Sequence, residues 1–408
     1  MAVIIEDIKA TVILPDDTVI NLTSAEITGT PSISSQCVSS SGFELGAVCS
    51  AQLSMSVKLS GANRYKMIGA SVKVQIFKNN AWHNAGIFNV TSASRYMDII
   101  TISASDNMIW LDKSAYSTDE NSKIVNLIAE YLKTQKTIYQ ALKYIVETAG
   151  GLQLAHTQAE IEAMPDGTLS TVVFQDIQTN CPRDWLAWCA EFLGGFAYAD
   201  ENGKIAIKPF EKQPSITIQK SEIQADTADI ADFTLKLASV SIVSFDGGSG
   251  SVYSPSNDGK PNSIYIDLSD NWIVQGKNYL ELNSMDVLGN VYGAVKNVPY
   301  RPFQATVHIN SILKTGQCIQ IQDNDGDFYS SVITHHTWTL NGGQQIKCAG
   351  EDTRLLADTK SRTAMKRQSE KIETMIKNIG RDVTQTELDQ LVTDGKIVDG
   401  QTYYVYEE

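Results

Sequence analysis

Five histidines, six cysteines and 47 acidic side chains are the groups in this 408-residue sequence that could do chemistry. His335 and His336 are adjacent in a run that reads as a strand, so their rings point to opposite faces and do not share one metal ion. Asp323, Asp325 and Asp327 with Gly326 resemble the start of a calcium loop. The bidentate acid expected near the end of such a loop is not evident, and a hairpin turn is the better reading. Cys181 and Cys189 stand eight apart around a helix start with no further ligand partner. They read, like Cys37, Cys49, Cys318 and Cys348, as reduced and mostly buried thiols, since the chain has no C-x-x-C pair. Trp185 and Trp188 could stack on sugars, but that spacing on an apolar helix face puts them in a core. Carboxylate pairs for glycoside cleavage need a separation of roughly 5–10 Å, which no sequence pattern here specifies. A phosphate-cradling loop, a dinucleotide fingerprint, His-Glu-x-x-His and Gly-x-Ser-x-Gly are all missing. The sequence therefore assigns no catalytic residue, no metal ligand and no cofactor, and predicts a protein that is not an enzyme.

Composition bounds the remaining possibilities. The chain is long enough for two to four domains, and 42% hydrophobic residues suffice for folded cores. With 33 basic against 47 acidic residues the formal charge is −14, the wrong sign for binding nucleic acid or an anionic membrane through clustered cations. Residues 1–7 lack the basic start of a secretory signal, and no apolar run approaches the roughly 20 residues of a membrane span. These features predict a protein made and kept in a cytoplasm-like compartment, without stable membrane insertion.

Residues 1–115 carry strand periodicity: Leu53, Met55, Val57 and Leu59 alternate with polar residues, as do Val72, Val74 and Ile76. Val3–Leu14 and Val19–Leu22 suit a hairpin around Pro15-Asp16-Asp17, and Ser32–Ser41 reads as a loop. Trp82–Asp112 reads as two strands, with Ile100, Ile102 and Ala104 on one face, ending where the chain leaves the β-region. At least five strands point to a compact barrel or sandwich. Residues 116–212 switch to helical spacing, in Ile124–Leu132, Ile138–Ala149 and the run from Pro182 to Gly195, followed by a hairpin through Asp200–Gly203. They predict a small α+β insert domain. Residues 213–357 return to strands, with a helix over Tyr279–Val295, a strand over Val332–Leu340 and turns at Asp323–Asp327 and Asn341-Gly342-Gly343. Residues 358–408 hold a helix and a short terminal segment. There Met365, Gln368, Ile372, Met375 and Ile379 are spaced 3, 4, 3, 4, which is heptad spacing. A helix packing on its own domain satisfies that pattern. A short self-associating coil satisfies it too, and is favoured by the charged residues on the other faces, so these five positions are the candidate oligomerisation residues.

Several of these segments together resemble the phage tail hub family, the baseplate hubs of contractile tails and related siphophage and tailocin hubs. The resemblance is carried by Phe43-Glu44-Leu45-Gly46 with Leu53–Leu59, by Trp82, Gly86-Ile87-Phe88 and Ile99–Asp112, and by the helix Pro182–Gly195 with its hairpin. It continues through Gly316-x-Cys318-x-x-Ile321, Val332-Ile333-Thr334, Asn341-Gly342-Gly343 and Ala349-Gly350. It implies a mainly β fold of two tube-forming β-barrel domains, 1–115 and 213–357, the second with a peripheral insertion, around the α+β insert. It further implies a homotrimer whose six barrels dock a threefold hub on a sixfold tail tube. The expected partners are a distal tail or tail tube protein, a spike or fibre protein and the tape measure protein, with no specific nucleic-acid binding. The expected location is the virion tail, at the baseplate or tail tip of a phage or contractile injection system, assembled in the bacterial cytoplasm. Two other readings remain open, a tail-associated peptidoglycan hydrolase and a receptor- or carbohydrate-binding tail protein.

Overall fold

Seven strands form the first part of the chain: β1 (Asp7–Ile13), β2 (Val19–Leu22), β3 (Ile27–Gln36), β4 (Gln52–Lys58), β5 (Ser71–Lys78), β6 (Ala81–Tyr96) and β7 (Ile99–Asp106). A computed structural model describes residues 6–38, 42–112, 128, 131–132, 134–171, 181–242, 251–253, 262–268, 271, 284–350, 381–384, 386, 389–390, 392 and 403–406. The alternation seen in sequence becomes one buried face. Leu53, Met55 and Val57 of β4 lie opposite Ala104, Ile102 and Ile100 of β7, all of them buried. Val72, Val74 and Ile76 of β5 fill the same core with Ile8, Ala10 and Val12 of β1. Asn79 and Asn80, with φ of 52° and 58°, make the tight turn from β5 to β6, in a backbone region that Asn tolerates better than most residues.

The insert is built around β8 (Lys136–Thr137), β9 (Ser170–Thr171), β10 (Gly195–Ala199) and β11 (Ile205–Pro209). Thr137 caps the helix Ile138–Lys143 in a reciprocal exchange with Gln140, and the helix widens into a π turn over Tyr144–Ala149. Pro182 opens the helix Pro182–Phe192, which stops at Gly194 with φ of 67° and hands over to the β10–β11 hairpin.

The later strands are β12 (Ile216–Ile218), β13 (Asp229–Ile230), β14 (Lys236–Ile242), β15 (Ser251–Tyr253), β16 (Ser263–Asp267), β17 (Phe303–Val307), β18 (Cys318–Gln322), β19 (Phe328–Val332), β20 (His335–Thr339) and β21 (Gly343–Cys348). The helix Ser284–Val295 precedes β17. Met1–Glu351 form one compact unit and Asp352–Glu408 another, in which β22 (Arg381–Thr384) pairs in parallel with β23 (Tyr403–Tyr406). The described residues are thus mainly β, with helices in a few segments.

Two sequence readings are corrected here. Ser32–Gln36, read as part of a loop, belongs to β3, which is hydrogen-bonded on both sides, to β4 and to β20. Two ladders satisfy its backbone, so a Ser-rich strand needs little apolar content of its own. Val332–Leu340, read as one strand, is two: β19 pairs with β18, then the chain turns at Ile333-Thr334 and β20 pairs with β21 and β3. Thr334 fixes that corner, its hydroxyl donating to Lys347 O at 3.0 Å and accepting from Ala349 N at 2.8 Å.

The β3–β20 pairing merges the strands of residues 7–106 with strands from residues 229–348 into one eleven-stranded sheet, in the order β13-β17-β21-β20-β3-β4-β7-β6-β5-β1-β2. Trp338, from β20, packs in the core of the first seven strands, while the insert and the remaining strands share a second core.

Candidate functional site

Strand alternation separates the two histidines as their adjacency predicts. His336 is buried, with Nε2 3.1 Å from Gln344 Oε1, and burial pushes its pKa down to about 4, so the ring is neutral near pH 7. Gln344 also accepts from Leu313 N at 2.9 Å and donates to Ser311 O at 2.7 Å. The pair therefore braces the 311–313 segment against the sheet. His335, on the other face, sits half-buried 3.0 Å from the Thr334 hydroxyl.

Asp323 Oδ1 accepts from the backbone N–H of Asp325 and of Asp327, both at 2.9 Å, which makes the acidic run the β18–β19 hairpin turn. Lys220 Nζ reaches in from outside to Asn324 O at 2.6 Å. Among the described residues no group of three or more His, Cys, Asp or Glu is placed to hold a metal ion. All six cysteines are free thiols, and burial pushes the Cys189 thiol up. Trp185 and Trp188 meet edge to face at 5.0 Å inside the second core, so they form no platform for a sugar. Met365, Gln368, Ile372, Met375 and Ile379 lie outside the described residues.

The structure brings together groups that the sequence reading did not connect. Lys78 Nζ lies 2.6 Å from Glu6 Oε1, both side chains almost wholly buried, and Glu6 Oε2 accepts from Asn341 N at 3.1 Å. One ion pair thus ties the start of β1, the end of β5 and the β20–β21 turn. A signal for it exists in the sequence: Lys78 continues the inward phase of Val72, Val74 and Ile76. A cavity of about 300 Å³ lies between the sheet and the insert, lined in part by Ser35, Phe196, Tyr198, Lys208, His336 and Trp338. Its charged groups are already engaged. Lys208 Nζ lies 3.3 Å from both Glu211 Oε1 and Thr315 O, and Asp106 accepts from Ala51 N and Met108 N. Burial raises the Asp106 pKa to about 6 against those two bonds, while Arg183 stands between Asp112 Oδ1 at 2.6 Å and Met108 O at 3.0 Å. The arrangement is that of a joint between β7 and the insert, with its charged groups committed to backbone and to one another.

A few large apolar side chains stay exposed among the described residues. Ile68, Tyr96 and Met97 are 60%, 73% and 75% exposed, and the last two sit at the tip of the long β6–β7 hairpin. Met97 there has a φ of 55°, a strained value for a flexible non-glycine side chain. Tyr96 and Met97, two large apolar side chains held in water at one strained turn, make the β6–β7 hairpin tip the candidate contact surface.

No protein-family model matches the chain, and no curated protein sequence matches it. Solved structures do. The prophage tail protein gp18 from Listeria monocytogenes superposes with a TM-score of 0.50 at 13% identity, over 90% of this chain and 98% of that one. A tail protein from Neisseria meningitidis gives 0.49 at 12% identity, over 85% and 97% of the two chains. The 43 kDa tail protein of prophage MuSo2 from Shewanella oneidensis gives 0.47 at 14%, over 84% and 96%. The Listeria superposition shows a shared fold across nearly the whole of both chains.

Proposed function

We propose that this chain is a structural hub of a phage or phage-like tail. The observation that carries the reading is the fold shared with the Listeria prophage tail protein over 90% of the chain. In this reading three copies form a symmetry adaptor that docks a sixfold tail tube to a distal spike or fibre apparatus. The β-regions 1–115 and 213–357 are its tube-forming domains and surround a channel for DNA or the tape measure. The 116–212 insert lies peripheral to them, and 358–408 supplies the threefold helix. The role is structural, and the engaged polar groups of the sheet–insert joint support it. So does the exposed apolar hairpin tip, which an assembly protein covers once it meets its partners.

The test is the mass of the purified chain by light scattering over a range of concentrations. A particle near three times 44.7 kDa, with a central hole by electron microscopy, is the expected result. A monomer at every concentration, together with lysis of host cell walls on a zymogram, would replace the hub with the hydrolase.

A further inference from the structure

The outward face of the eleven-stranded sheet changes character along its width. Strand register sets Thr306, Gln345, Thr337, Ser34 and Gln52 side by side across β17, β21, β20, β3 and β4. The next row runs Thr339, Ser32, Ser54, Ser103 and Ser92 across β20, β3, β4, β7 and β6. Ser56 and Thr101 follow one pleat further on, their hydroxyls 2.8 Å apart. The alternate residues of these strands, such as Leu53, Ile102 and Trp338, point into the core. Among the described residues these rows hold no acid, no aromatic ring and no large aliphatic side chain, in a chain with 47 acidic residues and a formal charge of −14. Lys347 and Lys58 stand at the borders, and Lys58 is paired with Asp98 at 3.6 Å. Over β5, β1 and the start of β6 the same face turns to Lys73, Phe77, Lys9 and Trp82. The hydroxyl-rich stretch also has a direction. His336 and Trp338 line the cavity with Phe196 and Tyr198 of the insert, so Thr337 and Thr339, which alternate with them along β20, look away from the insert.

Small hydroxyls and amides give a protein partner none of the aromatic or arginine anchors that hold an interface together. They give phosphates no cluster of cations to exchange for counterions, and no carboxylates to repel them. In so acidic a chain, an acid-free face several strands wide is where a polyanion can come close. We propose that this face, centred on Ser32, Ser34, Ser54, Ser103 and Thr337, is the wall past which the hub passes double-stranded DNA, touching the polymer without holding it. The inference rests on the hub reading above, which sets the insert at the periphery and so turns this face to the axis. It assigns the wall and the polymer that the reading leaves open.

The experiment compares two sets of arginine substitutions in the full chain, with a short DNA duplex as the probe and light scattering to report the assembly. Ser54→Arg, Ser103→Arg and Gln345→Arg place cations on the face, whereas Gln153→Arg, Ala159→Arg and Ala163→Arg place them on the insert. All six positions are exposed, so both sets leave the cores intact. In a trimer the face set converges about nine cations on one duplex, while the insert set offers it about three, so the slope of log K against log salt is expected to be about three times steeper for the face set. The unmodified trimer, and one with Ser54→Gln and Ser103→Gln, are expected to retain no duplex at physiological salt. Equal slopes for the two sets, or electron microscopy that places Ser54 and Ser103 outside the central hole, overturn the wall and leave the hub reading standing. An unmodified trimer that itself retains the duplex overturns free passage. A hole too narrow for a duplex overturns DNA as the polymer and makes it a polypeptide. A chain that stays monomeric overturns both the wall and the hub.

Discussion

Lys78 and Asp166 show how differently two buried charges are handled. Lys78 has a partner, Glu6 at 2.6 Å, and that partner has a second bond from Asn341 N. Removing one member strands the other in a low-dielectric site. Lys78→Ala is expected to cost about 3–5 kcal/mol by denaturant titration, while Lys78→Met with Glu6→Gln recovers most of it. Among the described residues Asp166 faces no cation. Asn290 donates to its Oδ1 at 2.7 Å, and its Oδ2 is buried with no partner among those residues, so burial raises the pKa from 3.8 to about 7. The folded state therefore holds a proton that the unfolded chain releases. The resulting stabilisation is complete below pH 3.8 and is lost as the pH rises towards about 7. Asp166→Asn, which suits the φ of 52° there, is expected to remove that slope and to stabilise the protein at pH 8 by about 1–3 kcal/mol. Thermal melts of both proteins at pH 5 and pH 8 check this, and equal melting differences at the two pH values would contradict it.

The element that joins the first seven strands to the later part of the sheet is β20, and its approach is set by the Thr334 corner. The Thr334 hydroxyl bonds both Lys347 O and Ala349 N, and the backbone O of Thr334 accepts from Cys37 N at 2.9 Å, at the end of β3. Thr334→Val keeps the shape and deletes the hydroxyl, leaving a buried N–H unmet, for an expected cost of about 1–3 kcal/mol. Hydrogen exchange should then rise at Ala349 and along β20 before it rises in β4 or β7, because the inner ladder of the first seven strands does not depend on that corner. Uniform loss of protection across all of them would show that β20 and the first sheet unfold as one unit instead.

On the scale of the assembled particle, the candidate source of association in the proposed hub is the heptad over Met365–Ile379. Ile372→Asp with Ile379→Asp is expected to weaken the trimer without lowering the melting temperature of the unit formed by residues 1–351. An unchanged trimer mass would remove the coil from the interface.

Local pattern was enough for much of this protein. The inward faces of β4, β5 and β7, the Asn79-Asn80 turn, the helix Pro182–Phe192 and its trailing hairpin, and the divergence of His335 from His336 all follow from side-chain period and turn chemistry within about ten residues. The acidic Asp323–Asp327 turn belongs with them. Other features depend on contacts across hundreds of residues, and no local period encodes those. The Ser-rich β3 is a strand because β20, some 300 residues later, supplies its second ladder. Trp338 belongs to a core built by residues 8–104 for the same reason, and Lys78 is buried because Glu6 and the turn at Asn341 close over it. In each case the local sequence permits more than one state, and the free energy that selects among them comes from a hydrogen-bond ladder or a desolvated partner brought in from elsewhere in the chain.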